Sequence, residues 1–226
     1  MTLEQLLLAA RRRLDDTRAP YLWSDDELTE FLNNAVDEAC VRSQLIEDRT
    51  TPEVTRVLVD VSQVSNGYPL HSAIDRVTAA FWGTEDCALT PRSRADALLT
   101  VKNDTVVADP VDYPTAYYLE RRKVYLVPPP ATDGEVLLWV YRRPLAPLAA
   151  LTDEPEIPEH LHRDLVWWVA YEAYSRKDAD TQDADMADRA EAKFTARFGT
   201  ARSAKVERTI QEMGAKTVYP RRLGGA

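Results

Sequence analysis

The chain has 226 residues, of which 45% are apolar and 29% charged, a composition typical of a globular protein that excludes a wholly disordered chain, a collagen and a heptad rod. Its net charge of −9 is uneven, because residues 200–226 hold six Lys and Arg against two Glu, which leaves −13 on residues 1–199. Such an acidic body lacks the broad basic face that duplex binding needs, and its basic end suggests a segment that docks on a partner.

The first predicted element is a helix over residues 3–15, because its apolar residues recur on one helical face: Leu3, Leu6, Leu7, Ala10 and Leu14. Three arginines at residues 11–13 follow the apolar run 6–10, which reverses the order found in a signal peptide. The chain also has no run of 18 apolar residues. We therefore expect a cytosolic product without a transmembrane helix.

The second helix has the best-marked start in the chain. Ser24 and Glu27 fit a capping box, in which each side chain bonds the backbone N–H of the other residue. Trp23 and Leu28 occupy the two positions of a hydrophobic staple. Apolar residues then recur at three- and four-residue steps, so we predict a long amphipathic helix over residues 25–47.

The pattern changes to that of strands after Thr50. Val57, Val59 and Val61 alternate with Arg56, Leu58 and Asp60, which is the period of a strand, and residues 65–67 are predicted to form a turn. We predict further strands over residues 74–82, 117–119, 123–127 and 135–142, with a hairpin turn at 120–122 and a short helix over 94–99 capped by Ser93.

Helical structure is predicted to return at Pro158, since proline fits the first helical position. Apolar residues then lie almost all round the helix, which is typical of a helix buried at the centre of a bundle; they are Leu161, the run 165–171, Ala173 and Tyr174. A further helix is predicted over residues 183–198, with Gly199 as its C-cap, and a last short helix before Gly214.

These elements predict an α+β fold. Residues 1–49 and 155–213 would form a helical bundle from the N- and C-terminal helices, and residues 50–147 would form an inserted β-rich domain. Residues 214–226 end in Pro, Arg-Arg and Gly-Gly and are predicted to be a flexible C-terminal tail.

The residue patterns favour no catalytic, cofactor or metal site. The seven glycines complete no phosphate-binding or nucleophile motif. His160 and His162 point roughly 200° apart on a helix and cannot share a metal, and His71 is isolated. Cys40 and Cys87 lack redox or metal spacing, so we predict that both are small core residues.

An acidic run beginning at Asp178 fails as a calcium loop. Its sixth position is Asp183 where glycine is needed, and its twelfth is Arg189 where a bidentate glutamate is needed. We predict instead that Asp180 or Asp183 caps the following helix, where a carboxylate also favours the helix dipole.

Two further interpretations involve aromatic and acidic residues. Trp139 and Tyr141 lie on one face of a strand, where stacking on nucleic acid bases is conceivable but packing is favoured. A hydrolase would need paired carboxylates such as Asp109 and Asp112 near Tyr113, and nothing in the spacing fixes their geometry.

Four stretches, taken in order, carry a resemblance to a known family. They are residues 21–35 with YLWSDDEL and FLNNA, residues 123–144 with KVYLVPPP and the strand after it, residues 155–174 beginning PEIPEHLH, and residues 194–199. Together they resemble the head-to-tail adaptor proteins of tailed bacteriophages, also called connector or tail tubular proteins, with their "W-S-D-x-E-L" start and β-domain.

The resemblance implies a structural virion protein with no enzymatic activity, made in the host cytoplasm and placed at the head-tail junction. Such proteins form a homo-oligomeric ring, usually a dodecamer, beneath the portal protein. They accept the tail or nozzle protein and let DNA pass through the lumen during ejection, without sequence-specific binding and without a membrane. We expect Tyr219, Arg221, Arg222 and Leu223 to dock on the portal.

Two alternatives stay open at the level of sequence. One is another head-completion or tail structural protein. The other, of a different class, is a nucleic-acid-binding regulator, which the acidic body disfavours because only the basic end offers contacts to phosphate.

Overall fold

A computed structural model describes residues 1–97, 113–176 and 182–203, together with residues 205, 206 and 209. Its helices and strands confirm the predicted α+β class. The chain divides into two compact units. One, the helical unit, comprises Met1–Glu47 and Tyr141–Ser203, and the other, the sheet unit, takes up Asp48–Val140 in the chain between them.

The helical unit is built around helix α3, against which three other helices pack. The helices are α1 Leu3–Arg13, α2 Asp25–Ser43, α3 Val166–Ser175 and α4 Ala184–Phe198, with a 3-10 helix, Glu159–Leu165, leading into α3. Their shared core includes Leu6, Leu28, Leu32, Leu165 and Phe194, all fully buried. The amphipathic pattern of α1 and α2 therefore faces the core as predicted.

Two helical predictions were wrong in detail. Helix α2 ends at Ser43, before the predicted residue 47, because Gln44 adopts a left-handed conformation at φ 54° and Ile46–Asp48 forms strand β1. Helix α3 is buried on one face only, through residues such as Val169 and Ala173, whereas Trp167 and Trp168 are half-buried. The aromatic residues thus border the core instead of filling it.

The strands of the sheet unit and its border form two small sheets. They are β2 Arg56–Val59, β3 Tyr68–Pro69, β4 Ile74–Trp82, β5 Thr90–Pro91, β6 Ala116–Glu120, β7 Lys123–Val127 and β8 Gly134–Arg142. One sheet has the order β1-β8-β2, with β4 also paired to β8, and the other has the order β3-β7-β6-β5. Strand β2 runs antiparallel to β8, so that Val57 lies opposite Val136.

Strand β2 ends earlier than predicted. Val61 begins a 3-10 helix, Val61–Asn66, because the side chain of Asp60 accepts a hydrogen bond from the N–H of Ser62 and caps it. Gly67 ends this helix at φ +64°, and a Cβ there would lie 2.5 Å from the ring of Tyr125. Only glycine fits both the conformation and the space at this turn.

The hairpin of β6 and β7 forms as predicted, with Tyr118 opposite Tyr125 in the register. Their rings stack with centroids 4.8 Å apart. The apolar core of the unit is separate from that of the helical unit and includes Val57, Tyr117, Val124, Val136 and Leu138. Each unit therefore has a hydrophobic core of its own.

The prediction for the cysteines was half right. Cys40 is buried in the helical core, whereas Cys87 is exposed. Cys87 lies in the tight turn after β4, where its carbonyl accepts a hydrogen bond from the N–H of Trp82 at 2.9 Å. The backbone closes this turn and the side chain is left to solvent.

Candidate functional site

The start of α2 is held by the capping box that the sequence predicts. The Ser24 Oγ accepts from the N–H of Glu27 at 3.2 Å, and Glu27 Oε2 accepts from the N–H of Ser24 at 3.0 Å. The hydrogen bond from the backbone N–H of Ser24 is the main cause of the lowered pKa of Glu27. Arg176, after α3, adds an ion pair to Glu27 at 2.7 Å.

A buried arginine ties this helix start to α1. Arg11 donates from Nη1 to Asp16 Oδ2 at 2.8 Å and from Nη2 to the carbonyl of Trp23 at 3.0 Å and to Asp25 Oδ1 at 2.6 Å. Asp16 is also buried. Because a buried charge is costly unless it is paired and hydrogen-bonded, the two side chains depend on each other.

Asp16 also fixes the loop between α1 and α2. Its carboxylate accepts from the N–H of Leu22 at 2.9 Å and from that of Trp23 at 3.2 Å. The loop therefore presents Tyr21 and Leu22 to solvent, 52% and 59% exposed, while Trp23 points into the core. Two exposed apolar side chains on a loop that is pinned by a buried ion pair form a candidate contact surface for another protein.

The other end of α2 is attached to α4. Arg42 donates to Thr195 Oγ1 at 3.0 Å and to the carbonyl of Gly199 at 3.2 Å, and Ser43 Oγ donates to the carbonyl of Phe198 at 2.6 Å. The bonds to Phe198 and Gly199 satisfy carbonyls at the C-terminal end of α4, which lack partners within the helix.

The stretch of residues 142–157 is fastened to α2 by an amide clamp. Asn33 Oδ1 accepts from the N–H of Leu148 at 2.7 Å, and Asn33 Nδ2 donates to the carbonyl of the same residue at 3.1 Å. Glu156 binds Arg142 at 2.6 Å and accepts from the N–H of Leu145 at 2.8 Å. Leu145 and Leu151 remain exposed on this stretch. The Asn of the FLNNA motif is thus a structural clamp.

In the sheet unit, Arg122 at the hairpin turn also has a structural role. Arg121 and Arg122 both have positive φ. The Nη2 of Arg122 donates to the carbonyls of His71, Ser72 and Ile74 at 3.0 to 3.1 Å. Arg122 therefore fastens the turn to the loop before β4.

The aromatic face of β8 packs within the protein. The ring of Trp139 lies 5.0 Å from that of Phe81, and the guanidinium of Arg49 lies 4.0 Å above it. The Nε1 of Trp139 donates to Glu85 Oε1 at 3.3 Å. This environment favours the packing interpretation over stacking on bases. Leu58, on strand β2, is by contrast strongly exposed.

Two carboxyl groups in the helical unit have raised pKa values because of burial. Glu172 accepts from Trp168 Nε1 at 2.7 Å and from Asn34 Nδ2 at 3.2 Å, and desolvation raises its pKa. Burial likewise raises the pKa of Asp37. In the described ranges, no three His, Cys, Asp or Glu residues converge as metal ligands. Every helix in those ranges is also too short or too polar to cross a membrane.

The histidines have ordinary environments. His162 is buried, with Nε2 2.8 Å from the carbonyl of Ile157 and Nδ1 2.9 Å from the amine of Met1. The ring nitrogen of His71 accepts from the N–H of Ala73 at 3.2 Å. Hydrogen bonding inside the fold thus accounts for both.

Several predicted site residues lie outside the described residues. These are the portal-docking residues Tyr219, Arg221, Arg222 and Leu223, the carboxylates Asp109 and Asp112, and Asp178 and Asp180 of the acidic run. Tyr113 is exposed. Asp183 caps α4 as predicted, because its side chain accepts from the N–H of Met186 at 3.0 Å.

No sequence motif predicts the structural roles of Arg11, Asp16 and Asn33 in the helical unit. A signal for one of them was present, since Arg11 follows Leu7 by four residues and thus falls on the apolar face of α1. A charged residue at a core position needs a buried partner.

Comparison with models of known families places residues 1–219 within the model described as SU10 adaptor protein. Comparison with curated proteins gives no significant match.

Proposed function

The chain belongs to the SU10 adaptor family of phage head-to-tail adaptors, which are structural proteins, and on this premise we propose that copies of it form a ring between the portal protein and the tail. The observation that carries the proposal is the match over residues 1–219, which extends across both units of the fold. As part of this proposal the protein is made in the host cytoplasm and ends in the virion.

Exposed apolar residues on both units support self-assembly. A closed ring needs heterologous contacts, in which two different surfaces of each subunit meet. The helical unit exposes Tyr21 and Leu22 on a pinned loop, and the sheet unit exposes Leu58 on β2. Surfaces of this kind are buried on assembly in stable protein interfaces.

The charge distribution suits a DNA conduit with a separate docking segment. The body of the chain, residues 1–199, carries −13, and a lumen of the same sign as phosphate does not hold DNA. The basic residues beyond it, with Tyr219, Arg221, Arg222 and Leu223, are proposed to dock on the portal protein. We propose twelve copies, with the tail or nozzle protein on the other side of the ring.

The first experiment is protein identification in purified particles of the phage that encodes the chain. We expect mass spectrometry to find the chain in mature particles, and electron cryo-microscopy to place a ring of it between portal and tail. A chain that is made during infection but is missing from purified particles would contradict the proposal.

The second experiment concerns the docking segment. A chain that lacks residues 214–226 should keep the far-UV circular dichroism of the full chain but attach less to portal-bearing heads. The matched control lacks only residues 224–226 and should attach normally. Equal attachment of the longer deletion would reject the docking role and leave the adaptor assignment intact.

A further inference from the structure

A groove with an apolar floor and a basic rim lies in the helical unit, between α1 and the segment formed by the 3-10 helix and α3. Its volume is about 860 Å³. Leu8, which is 51% exposed, and Trp167 form part of the floor. Arg12, Arg13 and Arg163 lie along the rim. We call this surface the arginine groove.

The positive charge of the arginine groove is not neutralised within the described residues. Arg12 and Arg163 are exposed and form no ion pair there, and Arg13 lies 3.8 Å above the ring of Trp167. Asp164, the acidic residue of the lining, is already paired with Arg197 at 2.8 Å. The groove therefore offers apolar area beside guanidinium groups that can bind carboxylates.

The start of α4 carries the complementary surface. Asp185 and Asp188 are exposed, lie on one face of the helix because they are three residues apart, and form no ion pair within the described ranges. Residues 182–192 hold four acids and a single basic residue, Arg189. We call Asp185 and Asp188 the acidic patch. Its two carboxylates match the guanidinium groups of the groove in charge.

Neighbouring tryptophans of α3 pack beside the two surfaces. Trp167 contacts Arg13 of α1 beside the groove, whereas the ring of Trp168 packs 4.9 Å from that of Phe194 on α4. Two different and complementary surfaces on one unit are what a head-to-tail contact between copies requires. The C-terminal end of the chain is a poorer occupant of the groove because it is basic.

We propose that the arginine groove of one copy binds the acidic patch of a second copy, with the contact repeated around the ring. This inference rests on the proposed function, which it deepens by assigning the subunit contact to named residues. Arg12 and Arg163 of one copy would pair with Asp185 and Asp188 of the next.

The test uses two charge reversals in the full-length chain. The groove variant is Arg12→Glu with Arg163→Glu, and the patch variant is Asp185→Arg with Asp188→Arg. Sedimentation velocity at low salt should show concentration-dependent association of the wild type and about 100-fold weaker association of either variant alone, because each then opposes like charges. An equimolar mixture should associate again, since every alternating contact pairs opposite charges.

The matched control is Arg92→Glu with Arg121→Glu, which makes the same change in charge at exposed arginines of the sheet unit. It should associate like the wild type, and far-UV circular dichroism should be the same for all variants. An equal loss in this control, a wild type that stays monomeric at every concentration, or a mixture that fails to associate would overturn the inference.

Two further outcomes separate this inference from other possibilities. If the groove variant loses binding to double-stranded DNA while its self-association is unchanged, the groove binds a polyanion and the inference is wrong. If the groove variant enters particles at wild-type levels, the inference fails while the adaptor function stands. Absence of the wild type from particles would instead contradict the adaptor function itself.

Discussion

The helical unit and the sheet unit of this adaptor hold polar groups inside the protein in different ways. In the helical unit, Arg11, Arg42 and Arg142 are buried, and each makes charge-assisted hydrogen bonds. In the sheet unit, Tyr117 is buried among apolar residues, and its hydroxyl has no hydrogen-bond partner in the described part of the chain. Burial raises its pKa to about 12. These three buried guanidinium groups of the helical unit are thus paired, whereas the buried hydroxyl of Tyr117 in the sheet unit is surrounded by apolar side chains.

The largest expected effect comes from breaking the directional network. Arg11→Met removes the partner of buried Asp16 and should lower the free energy of unfolding by about 3 to 5 kcal/mol. Urea denaturation followed by far-UV circular dichroism measures the change. Adding Asp16→Asn should recover part of the loss, because a neutral amide oxygen can still accept from the N–H of Leu22 or Trp23.

The control for this network is Arg12→Met, at the exposed neighbouring position. It should change the free energy of unfolding by no more than about 0.5 kcal/mol. A similar loss in both variants would mean that α1 responds to any lost charge, and that the buried pair has no special role.

The sheet unit should respond in the opposite direction when a buried polar atom is removed. Tyr117→Phe deletes a hydroxyl whose burial is uncompensated, so we expect the free energy of unfolding to rise by about 1 kcal/mol. Tyr68→Phe is the control in the same core, because its hydroxyl donates to the carbonyl of Asp60 at 2.9 Å. That variant should lose about 1 kcal/mol. Losses in both variants would show that the Tyr117 hydroxyl has a partner.

The smallest effect concerns the capping box at the start of α2. Ser24→Ala should lower the free energy of unfolding by about 1 kcal/mol, since it removes the oxygen that accepts from the N–H of Glu27. Ser65→Ala, at an exposed position of the 3-10 helix Val61–Asn66 in the sheet unit, serves as the control and should have little effect.

The same box should make stability depend on pH. The folded-state pKa of Glu27 is lowered, so its contribution is present above the ordinary carboxyl pKa and is lost as the pH falls through the lowered value. The cost of Ser24→Ala should therefore shrink in acid. If the cost of Ser24→Ala stays constant as the pH falls through the lowered pKa of Glu27, the Glu27 carboxylate adds nothing to the cap.

Local signals explain which parts of the fold the sequence predicts well. The Ser24–Glu27 box, the alternation of Val57 and Val59 in β2 and the stop at Gly199 all lie within a few residues of the structure they specify. The left-handed Gln44 carries no such signal, because glycine or asparagine is the usual residue there. Its conformation depends on the tertiary structure around it.

The candidate surfaces were harder to predict for the same reason. The Arg11–Asp16 pair joins neighbouring elements, and the Asn33 clamp joins residues 115 positions apart. The arginine groove forms because the 3-10 helix lies beside α1, and the residue pattern of α1 does not predict which element packs there. The flanking strands predict the hairpin turn. The positive φ of Arg121 and Arg122 could not be predicted, because neither residue is a glycine.

The difference between the two cysteines gives the protein a built-in chemical handle. Cys87 is exposed on the sheet unit and Cys40 is buried in the helical core, and the sequence has no other thiol. A maleimide-linked gold cluster or fluorophore would therefore modify each native subunit once, with no engineered substitution. The positions of these labels in an assembled particle would report how many subunits it holds and where their sheet units lie.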